Sequence, residues 1–148
     1  MIAAGVETRD LVAPLGVDLP IEREARHLFL SAPIRERLLE PLVISPERRF
    51  AAKQLHGGRV LASDLGATGD PETGATAWRR NVREVIAELL PVLAYVDLDV
   101  IVSGAYDVPP ARQPILVPLD GHDGLHVAAG FSGHGFMIAP AVGRIVAT

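Results

Sequence analysis

The sequence contains no cysteine and no long apolar run. The lack of cysteine excludes disulfides, thiolate metal ligands and cysteine nucleophiles. The longest apolar stretches, such as 136–142, fall far short of the roughly 20 residues that a membrane-spanning helix needs. The histidines lack the clustered spacing of metal ligands, so we predict no metal site. No charged-then-apolar leader is visible at the start of the chain, and we expect a cytoplasmic protein without a membrane span.

Positive charge is also scarce, since the formal net charge is -4 over 148 residues. This balance argues against a nucleic-acid partner. The two Arg-Arg pairs, 48–49 and 79–80, are too short to act as a binding tail, and we interpret them as solvated faces. Hydrophobic residues make up 49% of the chain, which is enough for an ordinary globular core.

Strand patterns dominate the first half of the chain. Residues 49–54 and 59–63 predict a hairpin, because His56-Gly57-Gly58 between them supplies a permissive turn. A short helical turn at 11–15 is closed by Gly16. The other predicted strands are 1–5, 21–31 and 40–44.

One helix has a clear apolar stripe. The loop-like composition of 65–76 ends at Thr76, which we predict to be the N-cap. The residues that recur at helical spacing are Trp78, Val82, Val85, Ile86 and Leu89. We expect Trp78, Val85, Ile86 and Leu89 to be buried against a sheet.

The second half ends in a strand, a glycine-rich turn and a helix. Strands are predicted at 98–102, 115–117 and 125–129, and a helix at 136–147. Glycines at 130, 133 and 135 would let a flat ligand or phosphate approach the backbone, and the helix start would offer free N–H groups. The alternative is a tight turn whose glycines serve packing only. The predicted class is α+β, with a mixed, largely antiparallel sheet and helices on one face.

Segment 130–143, Gly-Phe-Ser-Gly-His-Gly-Phe-Met-Ile-Ala-Pro-Ala-Val-Gly, resembles the C-terminal flavin motif of the D-amino-acid oxidase and sarcosine oxidase superfamily. It is most similar to the branch with sarcosine oxidase β-subunit, hydroxyproline dehydrogenase and hydrogen-cyanide synthase. The resemblance implies FAD and oxidation of the C–N bond of a small-molecule amine or amino acid by hydride transfer to flavin N5. It also implies a substrate-binding sheet domain of the D-amino-acid oxidase type and an incomplete FAD-binding domain.

The resemblance assigns residues to the cofactor and to the substrate. The cofactor contacts it implies are Ala4, Gly5, Gly130, Phe131, Ser132, Gly133, His134, Gly135, Phe136 and Met137. The substrate contacts it implies are Lys53, Tyr106 and Asp107. For Tyr106 and Asp107 an ordinary strand end is the alternative, and for His134 a helix-start histidine bonded to a loop.

The family's Gly-x-Gly-x-x-Gly unit, which grips the pyrophosphate, has no counterpart here. Pro109, Pro110 and Ala111 also replace the family's Thr-Pro-Asp. We therefore expect a C-terminal fragment or subunit that binds FAD weakly or not at all when alone. The predicted divisions are 1–16 (FAD-domain remnant), 17–118 (substrate-type domain) and 119–148 (flavin-contacting unit).

Two consequences for function follow from these departures. A second chain or self-association is expected to cover exposed strands at 2–5 and 127–129. The alternative function is a degenerate, non-catalytic remnant that acts as a binding or assembly module.

Overall fold

A computed structural model describes residues 1–147 of the chain and confirms the α+β class. Short 3-10 turns cover Gly5–Glu7, Ala13–Leu15 and Pro91–Leu93. The helices are α1 (Thr8–Val12), α2 (Pro71–Leu89) and α3 (Gly135–Val146). The strands are β1 (Glu22–Pro33), β2 (Val43–Ser45), β3 (Phe50–Gln54), β4 (Arg59–Asp64), β5 (Val100–Val108), β6 (Ile115–Pro118) and β7 (His126–Ala129). None of the helices described is long and apolar enough to cross a membrane.

The chain forms two compact units. The sheet unit is Ala25–Gly104, and the turn unit combines Met1–Glu24 with the chain from Ala105 onward. Strands β1 and β5 each run through a boundary between the units. The functional division at residues 16 and 118 stays a prediction, because compactness does not report function.

The sheet unit is built on the sheet β2-β3-β4-β1-β5. The predicted hairpin is confirmed, with β3 and β4 antiparallel and Gln54 opposite Val60. Alternate side chains of these strands point into a core that also receives Val82 and Val85 of α2. The strand predicted at 40–44 is confirmed only from Val43. The chain before it makes hydrogen bonds to the Gln54 side chain and not to a neighbouring strand. Gln54 Oε1 accepts the N–H groups of residues 38 and 39.

Helix α2 begins earlier than predicted, so the interpretation of 65–76 as a loop was wrong after residue 70. Asp70, and not Thr76, is the N-cap, and its carboxylate accepts the Glu72 N–H at 2.9 Å. Pro71 occupies the first helical position, where its fixed φ suits a helix and its missing N–H costs nothing. The Asp-Pro pair was a start signal that outweighed the glycine at position 74.

The predicted burial of the α2 stripe holds for Val85 and Ile86, but Leu89 is 41% exposed. Leu93, from the 3-10 turn after the helix, is fully buried in the same core cluster. We conclude that Leu93 fills the position predicted for Leu89. Trp78 is half-buried and stacks on the buried His27 ring, with centroids 4.7 Å apart.

The turn unit corrects the expectation that strand 127–129 is exposed. Val127 and Ala129 are fully buried, because β7 pairs with β6 on one edge and with Ile2 on the other. Val12 and Leu119 belong to the same core cluster. The strand predicted at 1–5 is reduced to the parallel bridge between Ile2 and Val127.

Candidate functional site

The glycine-rich turn after β7 reverses direction through three left-handed backbone conformations. Gly130, Ser132 and Gly133 have φ values of 75°, 51° and 86°. Glycine adopts this region at no steric cost, whereas serine does so only where the surroundings enforce it. For Ser132 the enforcement is visible, because its N–H donates to the Asp107 carbonyl at 3.1 Å and its side chain is buried.

The space that a side chain would need at each glycine is already filled by this chain. A Cβ built on Gly133 would lie 2.5 Å from Tyr106 Cε2, and one on Gly130 would lie 2.9 Å from Pro109 Cγ. At Gly135 the nearest atom is Phe131 Cβ, at 3.2 Å. The glycines therefore make room for the rings of Tyr106, Pro109 and Phe131. The sequence had suggested that they leave open space for a ligand.

Asp107 lies beneath the turn. Its side chain is 8% exposed, and Oδ2 accepts the Gly130 N–H at 2.6 Å. A short hydrogen bond to a carboxylate is about twice as strong as a neutral one. Tyr106 and Asp107 are consecutive on β5, so their side chains project to opposite faces of the strand and approach the turn at different points.

Some backbone N–H groups of the turn have a hydrogen-bond acceptor, and others have none. Those of Gly130, Ser132 and His134 are accepted by Asp107 and Phe131. Within residues 1–147, the N–H groups of Gly133, Gly135 and Phe136 have no acceptor. Free N–H groups at a helix start attract an electron-rich oxygen or an anion, and they also carry the positive end of the helix dipole.

The first side chains of α3 face outward. Phe136 is 98% exposed and Met137 is 65% exposed, although both are large and apolar. None of the described α3 residues is buried. His134 is exposed at the N-cap position, and its side chain makes no capping hydrogen bond there. The start of α3 is thus a free apolar surface beside free N–H donors.

Ala4 and Gly5 reach the same edge of the turn unit as this helix start. Ile2 pairs in parallel with Val127, so both segments run the same way, and each arrives at a positive-φ glycine three residues later, Gly5 and Gly130. The Ala4 N–H donates to the Thr8 hydroxyl at 3.1 Å, which anchors the chain as it turns.

Lys53 is the one predicted site residue that lies in the sheet unit. It is exposed on β3, between Ala52 and Gln54, whose side chains are buried. A shallow depression of about 130 Å³ includes Lys53 among mainly apolar neighbours, such as Leu28 and Leu61. Among residues 1–147, no side chain forms a hydrogen bond or an ion pair with Lys53.

The segment that departs from the family pattern keeps an ordered turn. The Arg112 N–H donates to the Pro109 carbonyl at 2.9 Å, and Arg112 Nη2 pairs with Glu24 at 3.3 Å. Pro109 is buried against Gly130. Sequence reasoning missed this packing role, for which the only local signal was a proline directly after the β5 pattern.

The chain matches a known protein family over its whole length. The model of the family described as DAO, FAD dependent oxidoreductase, matches residues 1–148. Glycine oxidase of Pseudomonas aeruginosa is 29% identical over 147 residues, which cover 99% of this chain and 40% of that protein. Glycine oxidase of Pseudomonas putida is 26% identical and is covered to 38%.

Two solved structures share the fold of nearly the whole chain. L-proline dehydrogenase from P. horikoshii superposes with a TM-score of 0.86 at 26% identity, over 99% of this chain and 41% of that chain. Glycine oxidase from Geobacillus kaustophilus, at 22% identity and a TM-score of 0.78, shares the fold. The chain spans about two fifths of the length of the relatives it matches.

Proposed function

This chain belongs to the family of FAD-dependent oxidoreductases, and we propose that it forms the C-terminal part of an enzyme that oxidises the C–N bond of an amine or amino acid. The proposal is supported by a match over about two fifths of each relative, since the unmatched portion would hold the rest of the cofactor. The dinucleotide-gripping glycine motif, absent from this sequence, would belong to that portion. A cytoplasmic location is part of the same proposal.

The observation that carries the proposal is the set of free N–H groups of Gly133, Gly135 and Phe136 at the start of α3. They suit the oxygen-bearing pyrimidine end of a flavin, where the helix dipole would favour the negative charge of the reduced ring. The exposed Phe136 and Met137 side chains would be covered in the same complex.

FAD, when bound, would accept at its N5 the hydride that leaves the carbon next to the substrate nitrogen, which yields an imine. The chain's own part would be to bind and orient the ring. The residues proposed to contact FAD are Ala4, Gly5, Gly130, Phe131, Ser132, Gly133, His134, Gly135, Phe136 and Met137. The first two would reach the cofactor from the edge that they share with Gly130.

Lys53 supports a carboxylate-bearing substrate. Its side chain is exposed, has no hydrogen-bond or ion-pair partner among the described residues, and borders a depression lined by apolar side chains such as Leu28 and Leu61. An exposed ammonium group without a partner can form a charge-assisted hydrogen bond with a substrate carboxylate, while the apolar depression beside it can accept an apolar side chain. An amino acid with an apolar body suits this surface better than an amine without a carboxylate. Tyr106 is a second proposed substrate contact, as the resemblance implies for this position.

The second candidate function is a non-catalytic binding or assembly module, and the exposed apolar start of α3 favours it. An apolar aromatic that is 98% exposed is typical of a surface that meets another chain. In that reading a second copy or another protein covers Phe136 and Met137, and no flavin is required.

FAD titration followed by fluorescence quenching separates the two candidates. We expect the chain alone to bind FAD weakly or not at all. Adding the FAD-binding segment of a related glycine oxidase in trans should strengthen binding, and each tenfold gain corresponds to about 1.4 kcal/mol. Gly133→Val should abolish the gain, because its side chain would collide with Tyr106. Gly143→Ala is the matched control, since nothing lies within 4 Å of its built Cβ.

Two results would contradict parts of this proposal. Tight stoichiometric binding by the isolated chain would show that the cofactor site is misplaced. A complex with the added segment that stays colourless would favour the binding module. If the enzyme forms, flavin reduction by amino acids under anaerobic conditions should need a higher amino-acid concentration for its half-maximal rate in Lys53→Met.

A further inference from the structure

We propose that Tyr106 and Asp107 act together as a clamp that holds the glycine turn 130–133 in its conformation, and that Asp107 is a positioning residue that does not bind substrate. The proposal rests on the function proposed above only in assigning this turn to the flavin. The geometry of the clamp is independent of any ligand.

The Asp107 carboxylate is directed at the backbone of the turn. Oδ2 accepts the Gly130 N–H and the Asp107 carbonyl accepts the Ser132 N–H, so one residue takes two N–H groups that lie two positions apart. The next N–H but one after Ser132, that of His134, is accepted by Phe131, and the Gly133 N–H between them has no acceptor among the described residues. The side chain is 8% exposed, which leaves little surface for a substrate ammonium group.

Tyr106 holds the same turn from the other face of β5. Its ring occupies the space where a Cβ of Gly133 would stand, with Cε2 at 2.5 Å and Cζ at 2.6 Å from that position. The ring therefore packs closely against the backbone of residue 133. Because 38% of Tyr106 is exposed, the opposite side of the residue still faces solvent.

A substitution at 107 can remove a hydrogen-bond acceptor from the turn, whereas one at 106 can remove a packed ring. Asparagine at 107 keeps an oxygen that can accept the Gly130 N–H, whereas alanine leaves this buried N–H without an acceptor. Phenylalanine at 106 keeps the ring against Gly133, whereas alanine removes it. A positioning role therefore predicts that the conservative variant retains the turn at each position.

Amide hydrogen exchange, measured by NMR on the full chain without FAD, tests the clamp directly. In Asp107→Ala we expect the Gly130 amide to exchange about tenfold faster or more, the loss that corresponds to one hydrogen bond to a charged acceptor. Asp107→Asn should retain most of the protection, and the exposed Asp120→Ala should retain all of it. The amide of Val127, in the buried strand before the turn, reports whether each variant is folded.

Tyrosine 106 is tested in the same spectra. Tyr106→Phe should leave the Gly130 and Ser132 amides unchanged, and Tyr106→Ala should shift the Gly133 resonance by removing the ring current of its neighbour. Unchanged Gly130 exchange in a folded Asp107→Ala protein would overturn the proposal. If Asp107→Ala does not fold, the Asp107→Asn variant decides the question. The proposal is then overturned if the Gly130 amide of Asp107→Asn exchanges as fast as it does in the unfolded chain.

FAD titration with the trans-supplied segment then separates this proposal from the proposed function. Affinity should fall at least about tenfold in Asp107→Ala and be largely restored in Asp107→Asn. If exchange responds as expected but the wild type never binds FAD, the clamp stands and the flavin assignment fails. If Asp107→Asn raises KM for an amino acid while Gly130 exchange and FAD affinity are unchanged, Asp107 contacts substrate and the positioning role is wrong.

Discussion

Replacing Gly74 with alanine should destabilise the protein, although the same change inside most helices stabilises them. Gly74 lies in the second turn of α2, and alanine at such a position is worth about 1 kcal/mol in helix propensity. A Cβ built on Gly74, however, would lie 2.5 Å from Cη2 of Trp78, one helical turn further on. Carbon atoms do not approach so closely, so the indole ring must move.

The cost follows from what holds that ring. Trp78 stacks on His27 with an interplanar angle of 12°, an interaction worth about 0.5–1.5 kcal/mol. The ring also packs partly against the core cluster, and losing part of that contact costs a further 1–2 kcal/mol or so. After subtracting the propensity gain of about 1 kcal/mol, Gly74→Ala should destabilise the protein by about 0.5–2.5 kcal/mol.

Urea denaturation followed by circular dichroism measures this difference, and a double-mutant cycle assigns its cause. In a Trp78→Ala background the clash is absent, so Gly74→Ala should now stabilise by up to about 1 kcal/mol. Gly143→Ala is the matched control, because its built Cβ has no neighbour within 4 Å and α3 should gain stability. The reasoning is refuted if Gly74→Ala stabilises the wild-type protein as much as Gly143→Ala does.

Three further substitutions test the sheet unit by the same denaturation assay. Asp70→Ala should cost about 1 kcal/mol, because it removes the carboxylate that caps α2 at the Glu72 N–H. Gln54→Leu should cost about 2–4 kcal/mol, since the buried amide satisfies two N–H groups and two carbonyls that would lose their partner. Arg83→Ala should change stability by less than about 1 kcal/mol, because its ion pair with Asp97 is exposed, and a larger loss would contradict that view.

Features that depend on neighbours close in the chain were predictable from the residues alone. The β3–β4 hairpin was predictable because two alternating runs flank a glycine turn, and α3 because an apolar run follows a glycine cluster. The start of α2 was equally local, yet it was missed because the composition of 65–76 is typical of a loop, while Asp70-Pro71 marks the real start. The family of the chain was also predictable from one continuous segment, 130–143.

The segments that cover each predicted face, and the side chains that each glycine accommodates, depend on the folded chain. Periodicity showed that α2 and β7 carry apolar residues, but not that Leu93 would replace Leu89 or that β7 would be paired on both edges. Asp107 and Gly130 are 23 residues apart, and their hydrogen bond has no local signature. Contacts between distant residues depend on how strands pair and turn, so the roles of Tyr106 and Asp107 at the turn appear only once the chain is folded.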